Sequence, residues 1–447
     1  MIASGAGMAH EATQTPPARE IPPRRGVLTG HASLRAAMPA WAGSRLAIIA
    51  IAIVAVALMG GDGFGAANAE RFDRRQLTHP LGETGDALVA PLARWDAAWY
   101  LDIAASGYPA GDDARTAFFP LYPLLVRGLG ELAGGSPAAS LLAAYLVSLA
   151  ALLGALVALH RLSVLELGPS VARSAVLLLC LFPASLFLGA PYSESLFLLC
   201  AVGAFLAARQ DRFALAGLAG AGASATRSAG LLLLIPLLVI YLYGPRGACQ
   251  DAKPVRRLGP RHRVHRDIAW LALAPGGVLA YALALAAGHG DPLAFVSAQE
   301  LWGREFAGPL VGAWEGARAG VEGAWVLLGG VPGAAPSPIG GPERIAALDL
   351  TLLVTLVAAV AATVGVVRRL PAAYGAWTAT SLALALSYPV EAQPLMSLPR
   401  FVAVLFPIFM WLALVCERRR VTVHVAAAFA VLLGLAVVQF ATWRFVA

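Results

Sequence analysis

Carboxylates and aromatic side chains alternate in one short stretch of the chain, residues 93–109, which reads ARWDAAWYLDIAASGYP. On a helix, spacings of three and four would create two neighbouring faces, one with Trp95, Trp99 and Asp102 and one with Asp96 and Tyr100. Such a helix would suit a membrane surface, with aromatic rings among the lipid headgroups and carboxylates pointing to water or into a pocket. The pattern therefore predicts a surface helix that presents acidic groups.

Other charged residues stand at the ends of apolar runs, where a charge is costly unless it pairs or lines a functional cavity. They are Glu194 in PYSES (191–195), Arg227 in ATRSAG (225–230), Glu391 in YPVEA (388–392) and Arg400 in SLPRF (397–401). Between these regions lies TAFFPLYPLLVRGLG (116–130), whose prolines predict a rigid turn in place of a regular helix. Phe118, Phe119 and Tyr122 of that turn should face lipid or protein.

An acid on a surface helix and arginines at helix ends fit the transfer of a sugar from a lipid phosphate to an alcohol. The phosphate is already a good leaving group, so one carboxylate suffices to take the proton of the acceptor hydroxyl. An arginine can hold the departing phosphate with paired hydrogen bonds, and aromatic rings can stack on the sugar. One base also favours direct displacement with inversion at the anomeric carbon.

Each of these residues also has a purely structural interpretation. Asp96 could cap a helix, and Asp102 could be a solvated residue of that helix. Glu194 and Arg227 could form a structural pair, and Arg400 could anchor to lipid headgroups. The two tryptophans of the first stretch could belong to an interfacial aromatic belt.

Composition indicates which elements must position these residues. The 447-residue chain is 59% hydrophobic and 13% charged, whereas soluble domains carry about 25% charged residues. The fold class predicted is an all-α polytopic membrane protein. Its net charge of +7 comes from basic residues in short loops between apolar runs, which indicates membrane topology and not nucleic-acid binding. The four cysteines include no C-x-x-C pair and predict neither disulfides nor zinc.

About eleven apolar runs approach the roughly 20 residues that a membrane-spanning helix requires. They are 45–61, 137–159, 172–189, 192–208, 212–226, 228–243, 267–287, 345–367, 371–388, 399–416 and 421–441. Residues 1–44 are polar and rich in proline, and they predict a disordered cytoplasmic tail. Residues 45–447 form the predicted transmembrane domain. The pair 212–226 and 228–243 is short enough to be a re-entrant hairpin.

Lysine and arginine set the expected orientation, because they concentrate in cytoplasmic loops. With the N-terminus inside, the basic segment 244–266, Arg368-Arg369 and Arg418-Arg419-Arg420 all fall inside. Two long loops, 62–136 and 288–344, then lie outside with the acidic and aromatic motifs. We therefore expect a multi-pass protein of the cell membrane whose active site faces outside.

A metal site is not predicted. The acidic pair Asp112-Asp113 in the first long loop is interpreted as a solvated loop tip. No cofactor is expected, and dependence on a divalent metal stays open.

Taken in order, several motifs resemble those of the PIG-V-like mannosyltransferases, a family that includes bacterial relatives of GPI mannosyltransferase 2. The resemblance covers roughly residues 45–415. The motifs are RWDAAWY (94–100), GY (107–108), FFPLYP (118–123), PYSES (191–195), ATRSAG (225–230) and PRF (399–401). One departure is Ala229, at a position where the family often carries a polar residue.

The resemblance implies a fold of GT-C type, with outer-loop helices that lie on the membrane. It also implies a polyprenyl-phosphate donor of a sugar, which would be mannose, and an inverting mechanism. Asp96 becomes the general base, Arg227 and Arg400 bind the donor phosphate, and Glu194 shapes the cavity or orients the acceptor. The other predicted substrate-binding residues are Arg94, Trp95, Trp99, Tyr100, Asp102 and Tyr122. The acceptor would be a glycolipid, a glycan or a protein, with membrane lipid around the site and no nucleic acid.

Two other classes of protein stay open on the sequence. A transporter or flippase for a lipid-linked substrate usually places polar residues near the bilayer midplane in broken helices, whereas this chain concentrates them at one face. A non-catalytic scaffold would be indicated if Asp96, Arg227 and Arg400 were far apart in space.

Overall fold

The computed structural model describes residues 30–60, 65–109, 114–247, 260–330 and 341–446. Within these ranges the chain is helical, with an isolated antiparallel bridge between Arg304 and Val390. The all-α class predicted from the sequence is confirmed. The predicted disorder of residues 1–29, the pair Asp112-Asp113 and most of the basic segment 244–266 lie outside the described residues.

The first half of the chain contains eleven α-helices. They are α1 (Gly30–Met59), α2 (Ala66–Phe72), α3 (Arg75–Thr78), α4 (Gly82–Val89), α5 (Asp96–Ser106), α6 (Leu121–Leu132), α7 (Pro137–Leu167), α8 (Pro169–Leu181), α9 (Glu194–Arg209), α10 (Phe213–Thr226) and α11 (Leu234–Tyr243). Short 3₁₀ helices, Pro183–Leu188 and Ser228–Leu233, precede α9 and α11.

The second half continues with eight α-helices. They are α12 (Gly276–His289), α13 (Ala294–Leu301), α14 (Pro309–Leu327), α15 (Pro342–Arg369), α16 (Ala372–Leu386), α17 (Leu398–Ala403), α18 (Phe406–Arg419) and α19 (Thr422–Ala441). A 3₁₀ helix, Arg266–Leu273, leads into α12. We call residues 62–136 the first loop segment and residues 288–344 the second loop segment.

Helix α1 begins at Gly30, so the prediction of a disordered tail up to residue 44 is wrong for residues 30–44. The reason is packing. Ser33 and Ala37 are fully buried, and the Trp41 indole donates a hydrogen bond of 3.2 Å to the Leu149 carbonyl of α7. Contacts with the helix bundle therefore order a stretch that looked featureless in composition.

The protein is a multi-pass membrane protein, but eleven spans are not confirmed. Four described helices are long and apolar enough to cross a bilayer: α1, α7, α15 and α19. A fifth span results if the 3₁₀ helix before α12 and α12 itself, which bend by 47°, are counted together. Prolines explain much of the difference, because Pro183 and Pro407 each open a new helix and split a predicted run.

The first loop segment packs directly on the bundle. Ala97, Tyr100 and Leu101 of α5 share one hydrophobic cluster with helices α1, α7 and α19. Tyr122 and Val126 of α6 belong to the same cluster and are fully buried. This cluster holds α5 rigidly at one end of the membrane helices.

The predicted turn through FFPLYP is only partly correct. Helix α6 begins at Leu121 and accommodates Pro123 in its first turn, where the missing backbone N–H would have had no helical partner. Phe119 packs against Tyr281 and Phe295. The segment therefore joins the first loop segment to the second.

In the second loop segment, α14 carries a stripe of buried glycines that lies against α15 and α16. A Cβ at Gly312 would overlap the Leu386 carbonyl oxygen, and one at Gly320 would meet the side chain of Leu353. Side chains larger than hydrogen would force α14 away. The stripe therefore fixes the second loop segment close to the helix ends that carry the charged motifs.

Candidate active site

Asp96 is the first residue of α5, and its position is fixed by an unusual backbone. Trp95, directly before it, has a φ of +54°, a conformation that costs energy in any residue with a side chain. The Asp96 backbone N–H donates to the Tyr192 hydroxyl at 3.2 Å, and that hydroxyl donates to the Arg94 carbonyl at 2.9 Å. One tyrosine thus closes the start of the helix that presents Asp96.

Glu194 is also the first residue of its helix, α9, and is completely buried. Its Oε1 accepts hydrogen bonds from Arg227 at 2.7 Å and from two nitrogens of Arg400 at 2.6 and 3.0 Å. A buried carboxylate without such cations would be strongly destabilising. Within the described ranges, its Oε2 has no hydrogen-bond partner.

Arg400 joins the two acids. While Nε and Nη2 hold Glu194, its Nη1 donates to Asp96 Oδ2 at 2.7 Å. The guanidinium also lies 5.0 Å from the ring centre of Phe187 and 4.9 Å from that of Tyr192. Each of the three guanidinium nitrogens of Arg400 thus has a carboxylate partner, and Arg400 holds Asp96 and Glu194 in place relative to each other.

The structure thus brings together Asp96, Glu194, Arg227 and Arg400, which the sequence predicted as members of one site. Their side chains come from α5, α9, the turn after α10 and α17. A non-catalytic scaffold would have been indicated if these residues were far apart. They lie together, so the structure does not favour that interpretation. Glu391, the other charged residue singled out at a helix end, is exposed on the connection before α17.

Arg304 is a member of the site that the sequence reasoning missed. Its guanidinium lies 5.8 Å from the ring centre of Phe401, and that of Arg227 lies 5.4 Å from the same ring. Burial, together with the charges of Arg400 and Arg227, lowers the pKa of Arg304 to about 10, although Asp96 acts in the opposite direction. No periodicity marked this arginine, because it lies in the turn between α13 and α14.

The hydroxyls of two predicted tyrosines have hydrogen-bond partners within the protein. The Tyr122 hydroxyl lies 3.0 Å from the Ala144 carbonyl and 2.9 Å from the Ser148 hydroxyl, and burial raises the pKa of Tyr122. The Tyr100 hydroxyl is 2.7 Å from the Ser193 hydroxyl, and burial likewise raises the pKa of Tyr100. Both are buried groups that join α5 and α6 to the bundle, and their contact with substrate stays a prediction.

Arg94 and Trp95 are also placed away from the carboxylates. The Arg94 guanidinium lies 4.8 Å from the ring centre of Trp443 and is 3.9 Å from Asp73. Trp95 packs between Trp443 and Phe445 at the end of the chain. Both side chains therefore attach the first loop segment to residues 443–445, and their contact with substrate stays a prediction.

Asp102 and Trp99 occupy the rim. Asp102 forms ion pairs with Arg74 and Arg115, so it is a neutralised acid and not a second free base. Trp99 stacks with Phe118 at 5.9 Å between ring centres and meets Trp302 edge to face at 5.3 Å. Trp99 is half-buried and keeps its place among the candidates for sugar contact.

No described group of three or more histidine, cysteine, aspartate or glutamate side chains has the arrangement of metal ligands. The site consists instead of two carboxylates and three guanidiniums. Such a set can hold an anion and accept one proton. The fold and site therefore define an all-α membrane protein with a cluster of two carboxylates and three guanidiniums at one end of its helix bundle.

Comparison with known proteins identifies the family that this chain resembles. Residues 75–240 match the family model described as Mannosyltransferase (PIG-V). The resemblance to PIG-V-like mannosyltransferases that the motifs indicated is thereby confirmed. The matched segment contains Asp96, Glu194 and Arg227, whereas Arg304 and Arg400 lie beyond it.

Among curated proteins, the chain is 40% identical over 155 residues to GPI alpha-1,6-mannosyltransferase 2 of Rattus norvegicus, covering 33% of this chain and 31% of the relative. It is 36% identical over 201 residues to the protein of the same name from Homo sapiens, covering 43% and 40%. GPI mannosyltransferase 2 of Cryptococcus neoformans is 30% identical over 197 residues, covering 40% and 46%. The matches thus span less than half of each of these relatives.

Two solved structures of the Archaeoglobus fulgidus oligosaccharyltransferase also align with the chain. The complex with zinc and sulfate has 13% identity and a TM-score of 0.41, covering 74% of this chain and 45% of that one. The form tethered to an acceptor peptide has 11% identity and a TM-score of 0.43, covering 90% and 56%.

Proposed function

We propose that the protein is an integral membrane glycosyltransferase of GT-C type. It would move a sugar, mannose by its resemblance, from a polyprenyl-phosphate donor to an acceptor hydroxyl on a glycolipid, a glycan or a protein. The observation that carries this proposal is the Asp96 carboxylate, which is anchored on one side and open on the other. The match to the mannosyltransferase family supports the sugar.

Asp96 has the geometry of a general base. Its Oδ2 is held by Arg400, its side chain is 26% exposed, and Oδ1 has no hydrogen-bond partner among the described residues. A free oxygen on a fixed carboxylate can accept the proton of an approaching hydroxyl. Its place in the first turn of α5 adds the favourable field of a helix N-terminus for the charged form.

The reaction then needs no second acid. As Asp96 takes the hydroxyl proton, the acceptor oxygen forms its bond to the anomeric carbon. The bond from that carbon to the phosphate oxygen breaks, and its electron pair leaves with the polyprenyl phosphate. Attack from the face opposite the phosphate inverts the configuration at the anomeric carbon. Guanidinium groups beside the phosphate stabilise the charge that develops on it.

The orientation proposed is an active site on the non-cytoplasmic side. Glu194 begins α9 and Arg209 ends it, so the site and the basic turn lie at opposite ends of one helix. Helices α15 and α18 end in Arg368-Arg369 and Arg418-Arg419. Basic helix ends favour the cytoplasm, which supports an outward-facing site.

The decisive experiment is sugar transfer by the purified protein with radiolabelled polyprenyl-phosphate mannose and a mixed pool of lipid acceptors. Wild type would be compared with Asp96→Asn, which keeps an oxygen for Arg400 but cannot take a proton. We expect the variant to bind donor and to lose a factor of about 10²–10⁴ in transfer rate. Asp102→Asn, which changes an acid already neutralised by two arginines, is the matched control.

Two outcomes would contradict the proposal. Equal transfer by Asp96→Asn and wild type would remove Asp96 as the base. A wild-type protein that neither binds donor nor transfers sugar would reject the glycosyltransferase function and favour transport of a lipid-linked substrate.

A further inference from the structure

We propose that Arg304 is a ligand of the donor phosphate, acting with Arg227, so that the second loop segment completes the active site. This inference rests on the proposed function and assigns a binding role to a residue outside the matched family segment 75–240. Arg400, which the sequence suggested for this role, becomes the group that positions Asp96.

Arg304 and Arg227 lie beside the same aromatic side chain. Arg227 and Arg304 approach the same ring, that of Phe401, at 5.4 and 5.8 Å. Phe401 directly follows Arg400 in α17, so both guanidiniums lie beside the bridge between Asp96 and Glu194. Two forked donors beside one ring suit a phosphate, which accepts several charged hydrogen bonds at once.

The charge of Arg304 is not compensated by a nearby carboxylate among the described residues. Among the residues that the structure describes, no carboxylate lies within ion-pair distance of Arg304. The hydrogen bond that the Arg304 guanidinium donates to the Met396 carbonyl from Nη2 is long, at 3.4 Å. Burial and neighbouring cations hold the pKa of Arg304 below its ordinary value, at about 10. A partly desolvated cation in this position is stabilised by any anion that enters.

The surrounding structure holds Arg304 in place. Arg304 forms the isolated bridge with Val390, next to the segment that leads into α17. Two residues earlier, Trp302 packs edge to face on Trp99 of α5 and donates from its indole to the Ala114 carbonyl at 3.3 Å. The short segment 302–304 therefore contacts both α5, which carries Asp96, and the connection that leads into α17, which carries Arg400.

The net charge of the site matches the charge of the donor phosphate. Two carboxylates and three guanidiniums leave one positive charge in excess at the site, which balances the single negative charge of the phosphodiester donor. When Asp96 takes the proton, the excess becomes two positive charges, and the departing phosphate monoester carries two negative charges. The site remains balanced throughout only if the Arg304 charge is included. The third guanidinium of the site, that of Arg304, thus balances the negative charge that develops on the departing phosphate.

The inference is tested by direct binding of polyprenyl phosphate and of uncharged polyprenol, without acceptor, to detergent-purified wild type, Arg304→Gln, Arg304→Lys and Arg318→Gln. Arg318 is an exposed arginine of the same loop segment and is the matched control. Loss of a charged hydrogen bond should raise the Kd of polyprenyl phosphate by about 10- to 100-fold in Arg304→Gln. Polyprenol binding should not change.

Arg304→Lys should give an intermediate Kd, because lysine retains the charge without the fork. Equal binding of polyprenyl phosphate by Arg304→Gln and wild type would overturn the inference while leaving the transferase function intact. Parallel loss of polyprenyl phosphate and polyprenol binding would show a structural role and also overturn it. Failure of wild type to bind polyprenyl phosphate would reject the proposed function itself.

Discussion

The Asp96 carboxylate and the Arg400 guanidinium are joined by a 2.7 Å hydrogen bond across 304 positions of sequence. The same guanidinium holds the buried Glu194. A carboxylate that works as a base must be oriented without being protonated or fully covered. Arg400 meets this requirement by engaging Oδ2 of Asp96 and leaving Oδ1 open.

Replacing Arg400 should separate chemistry from binding. In Arg400→Lys, one ammonium cannot reach Asp96 and Glu194 in the geometry of the guanidinium, so we expect transfer to fall by about 10²-fold with donor Kd within a few fold. Transfer kinetics and donor binding on the same preparation measure this. A variant that loses donor binding and transfer in proportion would instead make Arg400 a phosphate ligand.

Arg400→Gln also tests stability. Leaving Glu194 buried without its main cation should lower the free energy of unfolding by about 3–5 kcal/mol. Arg127→Gln removes an exposed i,i+4 pair with Glu131 and should change it by no more than about 0.5 kcal/mol. Unfolding in detergent followed by circular dichroism compares the two.

Tyr192→Phe should lower the transfer rate by about 10-fold, because it removes the hydroxyl that receives the Asp96 N–H and bonds the Arg94 carbonyl. The control is Tyr122→Phe, which removes an equally buried hydroxyl that bonds only α7. It should cost about 1 kcal/mol of stability with an unchanged rate per folded molecule. Equal rates for the two variants would refute a positioning role for Tyr192.

The lowered pKa of Arg304 gives a pH prediction. A cation loses its charge as the pH rises through its pKa, so a lowered pKa brings that loss closer to neutral pH. With a pKa of about 10, the wild-type Arg304 guanidinium stays charged throughout the usual assay range. Binding of polyprenyl phosphate to wild type should therefore be flat from about pH 7 to 9. In Arg304→Lys, burial and the charges of Arg227 and Arg400 should lower the lysine pKa below its ordinary value of about 10.4.

Binding to Arg304→Lys should consequently weaken as pH rises through about 8 to 10, while wild type is unaffected. Titration of Kd against pH for both proteins checks the sign. An identical pH profile for the two proteins would mean that residue 304 does not face the phosphate.

The glycine stripe of α14 offers a test of how the second loop segment is held. Gly312→Ala introduces a methyl group against the Leu386 carbonyl, and we expect a loss of about 1–3 kcal/mol from overpacking. Gly128→Ala in α6, where nothing lies within 4 Å, should be neutral or stabilising by up to about 1 kcal/mol. Thermal unfolding compares them, and a silent Gly312→Ala would show that α14 is not tightly docked.

How much of the site could be predicted from sequence depends on what each signal measures. Glu194, Arg227 and Arg400 stand out because charges beside apolar runs are costly and therefore informative, and Asp96 stands out by its helical spacing among aromatic residues. Arg304 lies in a polar turn, where a charge is ordinary. Only the fold reveals that the Arg304 guanidinium lies against the ring of Phe401.

The surroundings of the predicted tyrosines and of Arg94 could not be read from the sequence for a related reason. Helical periodicity places Tyr100 next to Asp96 on one face, but it does not say which face meets the bundle. In the structure that face is covered by Tyr122 and Tyr192. Likewise, hydropathy located most apolar runs, whereas the number of spans depends on proline breaks and tertiary packing that a window of residues does not record.

The sequence separation of the Glu194 partners has a consequence for biosynthesis. Arg227 follows Glu194 after 33 positions, whereas Arg400 follows after 206. Because the chain is made from its N-terminus, α9 and α10 can enter the membrane as a hairpin whose acid already has a counter-ion. Asp96, made earlier still, must wait for α17. The contact between Asp96 and Arg400 can therefore form only after α17 has been synthesised.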